Sequence, residues 1–425
     1  MSRVLACLAL SASTAAADPL DEFGLGGRAA ATGGARTATA EGAEAAHHNP
    51  AGVALGLHPE MLIGWGYGMM RLSIDGRNAD VLDAHGTAIG LAVPVSLGQG
   101  WTLGTGIALY LPDQFLARLQ LIPNSEPHFV LLDNDPHRAV VEPVAAASYQ
   151  GKVGFGAGAS VLANARSKKM VFDVGIVSGE KVGEAELDVE LPVRLAPLVG
   201  VWARPHPRVR AGLTYRGKLA LDIALDILTN VQIAGVVTGD VLVSVRASNY
   251  FTPARFGAGV AVDVLSDLTV AADLTVNRWS AYPAAADLAV LIALDVAPPL
   301  VSTDTPPSNF TDTVDGKLGV EYRRRGRRTD VAVRAGGAWR PSPVPPQIGL
   351  TSWADGDRLL LTAGTGISLA DWAPILTRPI DLDLALQWQH VAHRLTQKHI
   401  ETVPGEAFSS GGNILHAGVS ATVRF

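Results

Sequence analysis

Cysteine is all but missing from this sequence: there is one, Cys7, in 425 residues. It falls in a stretch that reads as a secretory signal, 1–17. Arg3 supplies the positive start, residues 4–10 a short apolar core and Ala15, Ala16 and Ala17 a small-residue cleavage site. A chain processed near Asp18 keeps no thiol, which excludes disulfides and thiol chemistry. Charge is also scarce, at 17% against about 25% in soluble domains. Long apolar runs are absent too. The best, 284–301, is broken by Asp287 and Asp295 and carries Pro298 and Pro299, short of the roughly 20 apolar residues a membrane helix needs. Basic blocks are lacking: the net charge is −6, and the short arginine run at 323–328 reads as a charged strand end and turn at a membrane surface, so no nucleic acid partner is expected.

What is present is apolar character spread thinly: 48% of residues are hydrophobic, with 45 glycines. Dispersed hydrophobicity of this kind suits a closed barrel in lipid, where every strand contributes one apolar face. The segment 18–57 is rich in Gly and Ala, has no period-2 pattern and ends near His47, His48, Asn49, Pro50, Ala51 and Gly52. It reads as a small element ahead of the first strand. From 58 to 425 the pattern is alternation. In the last strand Leu415, Ala417, Val419, Ala421, Val423 and Phe425 share one face, and His416, Gly418, Ser420, Thr422 and Arg424 the other. Similar faces run through Val209–Tyr215, Leu268–Val276, Val314–Tyr322, Val331–Trp339 and Ile380–Trp388. Apolar faces ending in Tyr215, Tyr322, Trp339, Trp388 and Phe425 match interface girdles, while the charged opposite faces would not suit a dry sandwich core.

The alternation places about fourteen strands, near 59–74, 86–97, 101–112, 139–150, 153–164, 191–204, 208–225, 252–264, 268–281, 311–325, 329–341, 357–370, 380–393 and 412–425. Connections alternate between short turns and long loops, with 371–379 a mild exception, which puts both termini on the periplasmic side. The expectation is therefore an all-β membrane protein, an antiparallel transmembrane β-barrel of about fourteen strands with an N-terminal plug, sited in the bacterial outer membrane and working as a monomer.

Specific residues carry a family resemblance. The start at Gly24, Leu25, Gly26, Gly27, Arg28 and Ala29, followed by Gly33, Gly34 and Ala35 and the Asn49, Pro50, Ala51, Gly52 box, resembles the FadL-type outer-membrane transporters of long-chain fatty acids and hydrocarbons. So does Arg210 to Arg216, while the ending Val423, Arg424, Phe425 resembles the assembly signal read by the barrel assembly machinery in this class generally. The resemblance implies a hatch, 18–57, that plugs the lumen and gates at Asn49, Pro50, Ala51 and Gly52. It also implies capture of a hydrophobic ligand outside, a lumenal site, and lateral exit into outer-membrane lipid at a kinked third strand. Gly104 and Gly106 lie in that strand, where glycine is compatible with a bend or simply with small wall residues.

For an amphipathic acid the chemistry needs an apolar groove for the tail and a cation for the carboxylate. Phe115, Leu116, Leu119, Leu121, Ile122, Phe129 and Leu131 make the 113–138 loop unusually apolar; they either bind cargo or pack together to close the loop. Among lumen-facing cations Arg216 and Lys317 lie well inside their strands and are the choices for a carboxylate, the other cations being expected to pair with lumenal acids. The apolar 226–251 segment either lines an outer vestibule or extends its hairpin above the membrane. No metal, cofactor or enzymatic motif is expected: Asp133 to His137 reads as a solvated loop tip, and no G-x-S-x-G occurs. The reading is passive uptake of hydrophobic compounds, against a structural or lipid-modifying barrel with no transport role.

Overall fold

The computed structural model describes residues 19–114, 126–132, 139–162, 165–174, 183–191, 193–233, 237–283, 286–294, 297–303, 307–347, 351–370, 378–398 and 407–425. The expected signal segment 1–17 lies outside them, as do Phe115, Leu116, Leu119, Leu121, Ile122 and the tip at 133–137.

One antiparallel sheet holds fifteen strands, of which Arg77–Asn78 is only a short arm folded back on the first; the remaining fourteen form the wall. In chain order these are β1 (Glu60–Ile74), β2 (Ala84–Gly98), β3 (Trp101–Pro112), β4 (Val140–Tyr149), β5 (Val153–Leu162), β6 (Arg194–His206) and β7 (Val209–Arg216). They continue with β8 (Arg255–Leu265), β9 (Leu268–Asn277), β10 (Thr313–Arg324), β11 (Thr329–Arg340), β12 (Arg358–Leu369), β13 (Ile380–Gln397) and β14 (Ala407–Arg424). The sheet closes because β1 pairs on both sides, Met61 opposite Leu91 of β2 and opposite Val423 of β14. Closure leaves no open edge and satisfies the wall's backbone within the protein, as a bilayer demands. No helix among the described residues is long and apolar enough to cross a membrane.

Alternation decides the two faces. On β14 Val419 is 51% exposed whereas its neighbour Ser420 is 6% exposed, and β13 repeats this at Leu386 and Gln387. The outward residues are mostly apolar; the inward ones are polar, glycine, or apolar residues such as Leu62, Ala92 and Val144 that pack with the hatch. Short turns, such as 207–208 and 266–267, gather at the end of the barrel where β1 starts and β14 finishes.

Most boundaries shift by up to four residues, and two differ more. The seventh strand, expected to reach 225, leaves the wall at Arg216. Gly217 donates its N–H to the Pro197 carbonyl at 2.7 Å, and the chain re-pairs from Leu219 in a separate sheet. That sheet joins Leu219–Ile233, Val237–Thr252, Ala286–Leu294 and Ala297–Thr303, so the 226–251 segment is a hairpin extension. The last strand also starts earlier than expected, at Ala407.

Residues 19–57 fill the lumen. They form α1 (Pro19–Phe23), α2 (Gly27–Ala31), a 3-10 turn at Gly42–Glu44, α3 (Ala45–His48) and a second 3-10 turn at Pro50–Ala54. Helices this short are not stable alone, so the barrel wall must hold them. Inward glycines make the fit possible: a side chain on Gly212 would overlap the Thr37 carbonyl, and one on Gly156 would overlap Pro50.

Candidate functional site

The hatch is fastened to the wall by buried charge. Glu142, on the inward face of β4 and wholly buried, accepts from Ser160 Oγ of β5 at 2.7 Å and pairs with Arg216 of β7. Its other oxygen meets His47 Nδ1 of α3 at 2.7 Å, and Arg216 also donates to the His47 carbonyl at 2.8 Å. The far nitrogen of the same ring lies 3.4 Å from Asp21 of α1, whose second oxygen is 2.5 Å from Arg255 of β8. Burial opposes a charge on His47, but Glu142 beside it outweighs that and pushes the imidazole up to about 9, so it is a cation at neutral pH. Asp21 is likewise buried against its ionisation, yet Arg255 and His47 hold its carboxyl well below the usual carboxylate range.

Two further clamps lie around the lumen. Arg28 of α2 reaches Glu321 of β10 with two nitrogens at 2.9 and 3.1 Å, and Glu321 in turn binds Arg334 at 2.6 Å, which also holds Asp383 at 2.6 Å. Glu22 of α1 sits between Arg340 at 2.9 Å and Arg358 at 3.3 Å. Truncating one partner of such a cluster strands an unpaired buried charge, which costs far more than a surface ion pair is worth.

The Asn49, Pro50, Ala51, Gly52 box is the mechanical centre of the hatch. Asn49 Oδ1 accepts from Ala51 N at 3.2 Å and so caps the turn that Pro50 opens. Its amide nitrogen donates to the Thr37 carbonyl at 2.7 Å and to the Val201 carbonyl of β6 at 3.1 Å. One buried side chain thus ties two hatch segments to the wall. Gly52 has no room for a side chain against the Ala40 carbonyl.

The outer mouth is closed differently. Val130, Leu131, Phe251, Trp279, Tyr282, Phe310, Val344 and Trp353, from four connections between wall strands, form one buried apolar cluster. Tyr282 stacks on Phe310 with centroids 4.5 Å apart, and Phe251 and Trp353 meet that pair edge-on. The segment carrying Phe129 is pinned by a parallel pairing of His128 and Phe129 with Trp353 and Ala354. His128 is buried and pushed down to about 4, and its Nδ1 lies 2.7 Å from the Glu126 carbonyl.

The expected site residues separate accordingly. Phe129 and Leu131 are buried in two neighbouring clusters, Phe129 with Phe23 of the hatch and Leu131 in the roof. Arg216 is committed to Glu142 and His47. Lys317 makes no ion pair among the described residues and lines two small cavities, of about 70 and 30 Å³, between α1 and the β9–β12 wall. Gly104 and Gly106 lie in unbroken ladder, opposite Ala146 and Val144 of β4, and their missing side chains leave room for Val53 and Ala54 of the hatch. Glu142, Asp21, Glu22 and the roof aromatics carry the geometry without having been singled out from sequence. A lone carboxylate amid the valines of β4 was the available signal.

A closed fourteen-stranded transmembrane barrel whose lumen is stoppered by its own N-terminal segment is the class these features define. No family model matches the chain, and no curated protein matches it in sequence. Solved structures do match in fold. A Pseudomonas aeruginosa FadL homologue superposes with a TM-score of 0.57 at 15% identity, covering 95% of this chain and 98% of that one. The monoaromatic hydrocarbon channel CymD gives 0.54 at 17% identity, covering 94% and 97%. The Pseudomonas putida toluene transporter TodX gives 0.53 at 16%, covering 94% and 98%. The chain has the fold of the FadL-type outer-membrane barrels over nearly its whole length.

Proposed function

We propose that this protein is a passive outer-membrane channel for hydrophobic compounds, long-chain fatty acids or related hydrocarbons. Cargo is captured at the aromatic roof, passes a lumenal site beside α1 and leaves sideways into the membrane. The observation that carries the reading is the pairing of a polar, latched hatch below with a buried aromatic cluster above. A pore for polar solutes has no use for an apolar lid, and a purely structural barrel has no use for a plug. The cavities beside the hatch, about 70 and 30 Å³, are far below the ~300 Å³ and more that ligand pockets occupy, so cargo passes only when the hatch shifts. Lys317 is the cation placed to hold a carboxylate on the way. The fold shared with a FadL homologue and two aromatic hydrocarbon channels supports the same reading.

The test is uptake into liposomes of oleate and, separately, of toluene by the refolded chain, compared with Lys317→Met and with deletion of 19–52. Saturable uptake altered by the deletion is expected. A Lys317→Met defect confined to oleate marks an acid-binding site, and toluene uptake without oleate uptake changes the cargo class. No uptake of either compound by a well-folded barrel contradicts the proposal and leaves a structural or lipid-modifying barrel.

A further inference from the structure

The turn between β10 and β11 carries five arginines in six positions: Arg323, Arg324, Arg325, Arg327 and Arg328. In a chain of net charge −6 this density is not inherited from composition. Like charges so close repel one another, so the arrangement calls for an anion.

Among the described residues the chain supplies little counter-charge. Arg323 faces inward and lies 3.5 Å from Glu321, which the hatch already uses through Arg28. Asp330, the nearest acid in the turn, accepts from the Gly326 N–H at 3.1 Å. Arg324, Arg325, Arg327 and Arg328 are exposed and make no ion pair among the described residues.

Register says where these guanidinium groups stand. Tyr322 pairs with Val333 and Arg324 with Val331, and directly opposite residues share a face. Tyr322, Val331 and Val333 are all exposed on the outer, lipid-facing side. Arg324 is therefore on that side too, two residues beyond the girdle tyrosine and at the short-turn end, which is the periplasmic end of such barrels. A basic residue just past an aromatic belt is at headgroup depth, beyond the reach of a large soluble partner approaching the mouth. A guanidinium there matches a phosphodiester by paired, charge-assisted hydrogen bonds.

We propose that the 323–328 turn is a binding site for anionic phospholipid headgroups of the inner leaflet, anchoring the barrel at its β10–β11 side. The site selects phosphatidylglycerol over zwitterionic lipid and is independent of cargo.

The experiment embeds the full chain in nanodiscs of mixed phosphatidylglycerol and phosphatidylcholine and reads the lipids retained on extraction by native mass spectrometry. The unmodified chain is expected to retain phosphatidylglycerol preferentially. Arg324→Gln should cut that preference roughly fivefold, the worth of one arginine at an anionic surface, and R324Q/R325Q/R327Q/R328Q should abolish it. The matching fourfold lysine variant keeps the charge without the paired geometry and should recover part of it. Heat-modifiable gel mobility confirms that each variant folds. Equal preference in the unmodified and glutamine proteins would overturn the proposal. So would arginine-dependent capture of free inorganic phosphate or of polyglutamate in pure phosphatidylcholine discs with lipid preference unchanged, which would assign the turn to a soluble anion or an acidic polymer.

Discussion

The lumen is closed by two layers of opposite chemistry, one lying directly beneath the other. Below, the hatch is held by directional, mutually dependent charges: Glu142 with Arg216 and His47, Glu321 with Arg28 and Arg334, and Glu22 with Arg340 and Arg358. Above, the roof is held by aromatic packing among Phe251, Trp279, Tyr282, Phe310 and Trp353. Apolar contacts are non-directional, so a hydrophobic guest can replace one roof side chain with another ring or chain at little cost. Salt bridges offer no such exchange, since an apolar guest cannot satisfy a stranded carboxylate. On the proposed function, entry and gating are then separate steps: the roof would admit cargo while the latch still holds.

The sharpest way to break this comparison is Glu142→Ala. It removes the buried carboxylate that Arg216 and the His47 imidazolium share, and should cost about 3–5 kcal/mol. Hydrogen exchange should rise throughout the hatch, with roof amides unchanged. Leu131→Ala is the converse, a roof cavity costing roughly 2–4 kcal/mol, with faster exchange in 126–132 and an intact hatch. Asn49→Ala removes the cap and strands two carbonyl acceptors, a loss of about 1–3 kcal/mol that thermal melts in detergent would register.

Acidity separates the two layers more gently. His47 titrates in the folded protein at about 9, above its ordinary 6.5. Its contribution is therefore complete below pH 6.5 and is lost as pH rises through about 9. His128 has the opposite sign: buried and pushed from 6.5 to about 4, it favours the folded roof above pH 6.5 and withdraws that support as pH falls toward 4. Hatch exchange should accelerate in alkali and roof exchange in acid, each followed by mass spectrometry across pH.

Much of the wall was legible because lipid imposes a strict rule. Outward residues such as Leu382, Leu384 and Leu386 must be apolar, and the period of two then shows each strand and its facing. The expected seventh strand runs past Arg216 because the apolar alternation continues unchanged through Leu219, Leu221 and Ile223; nothing local distinguishes a strand in lipid from the same pattern in a sheet beyond the wall. Arg216 was legible as an inward cation but not as a latch, because its partners Glu142, Ser160 and His47 lie 74, 56 and 169 positions away. The roof shared that difficulty: Phe251, Trp279 and Trp353 stand in three separate connections between wall strands, which only the closed barrel brings together.

The proposed route requires that cargo pass by movement of the hatch at the Asn49 to Gly52 box. A side chain built on Gly154 of β5 would place its Cβ 3.7 Å from that of Ala51, inside the usual range for a disulfide, and the sole cysteine of the sequence is Cys7. Uptake of oleate and toluene by the A51C/G154C barrel should therefore be measured oxidised and after reduction. The oxidised, locked hatch is expected to abolish uptake, and reduction to restore it. Undiminished uptake with the bond formed would contradict that route.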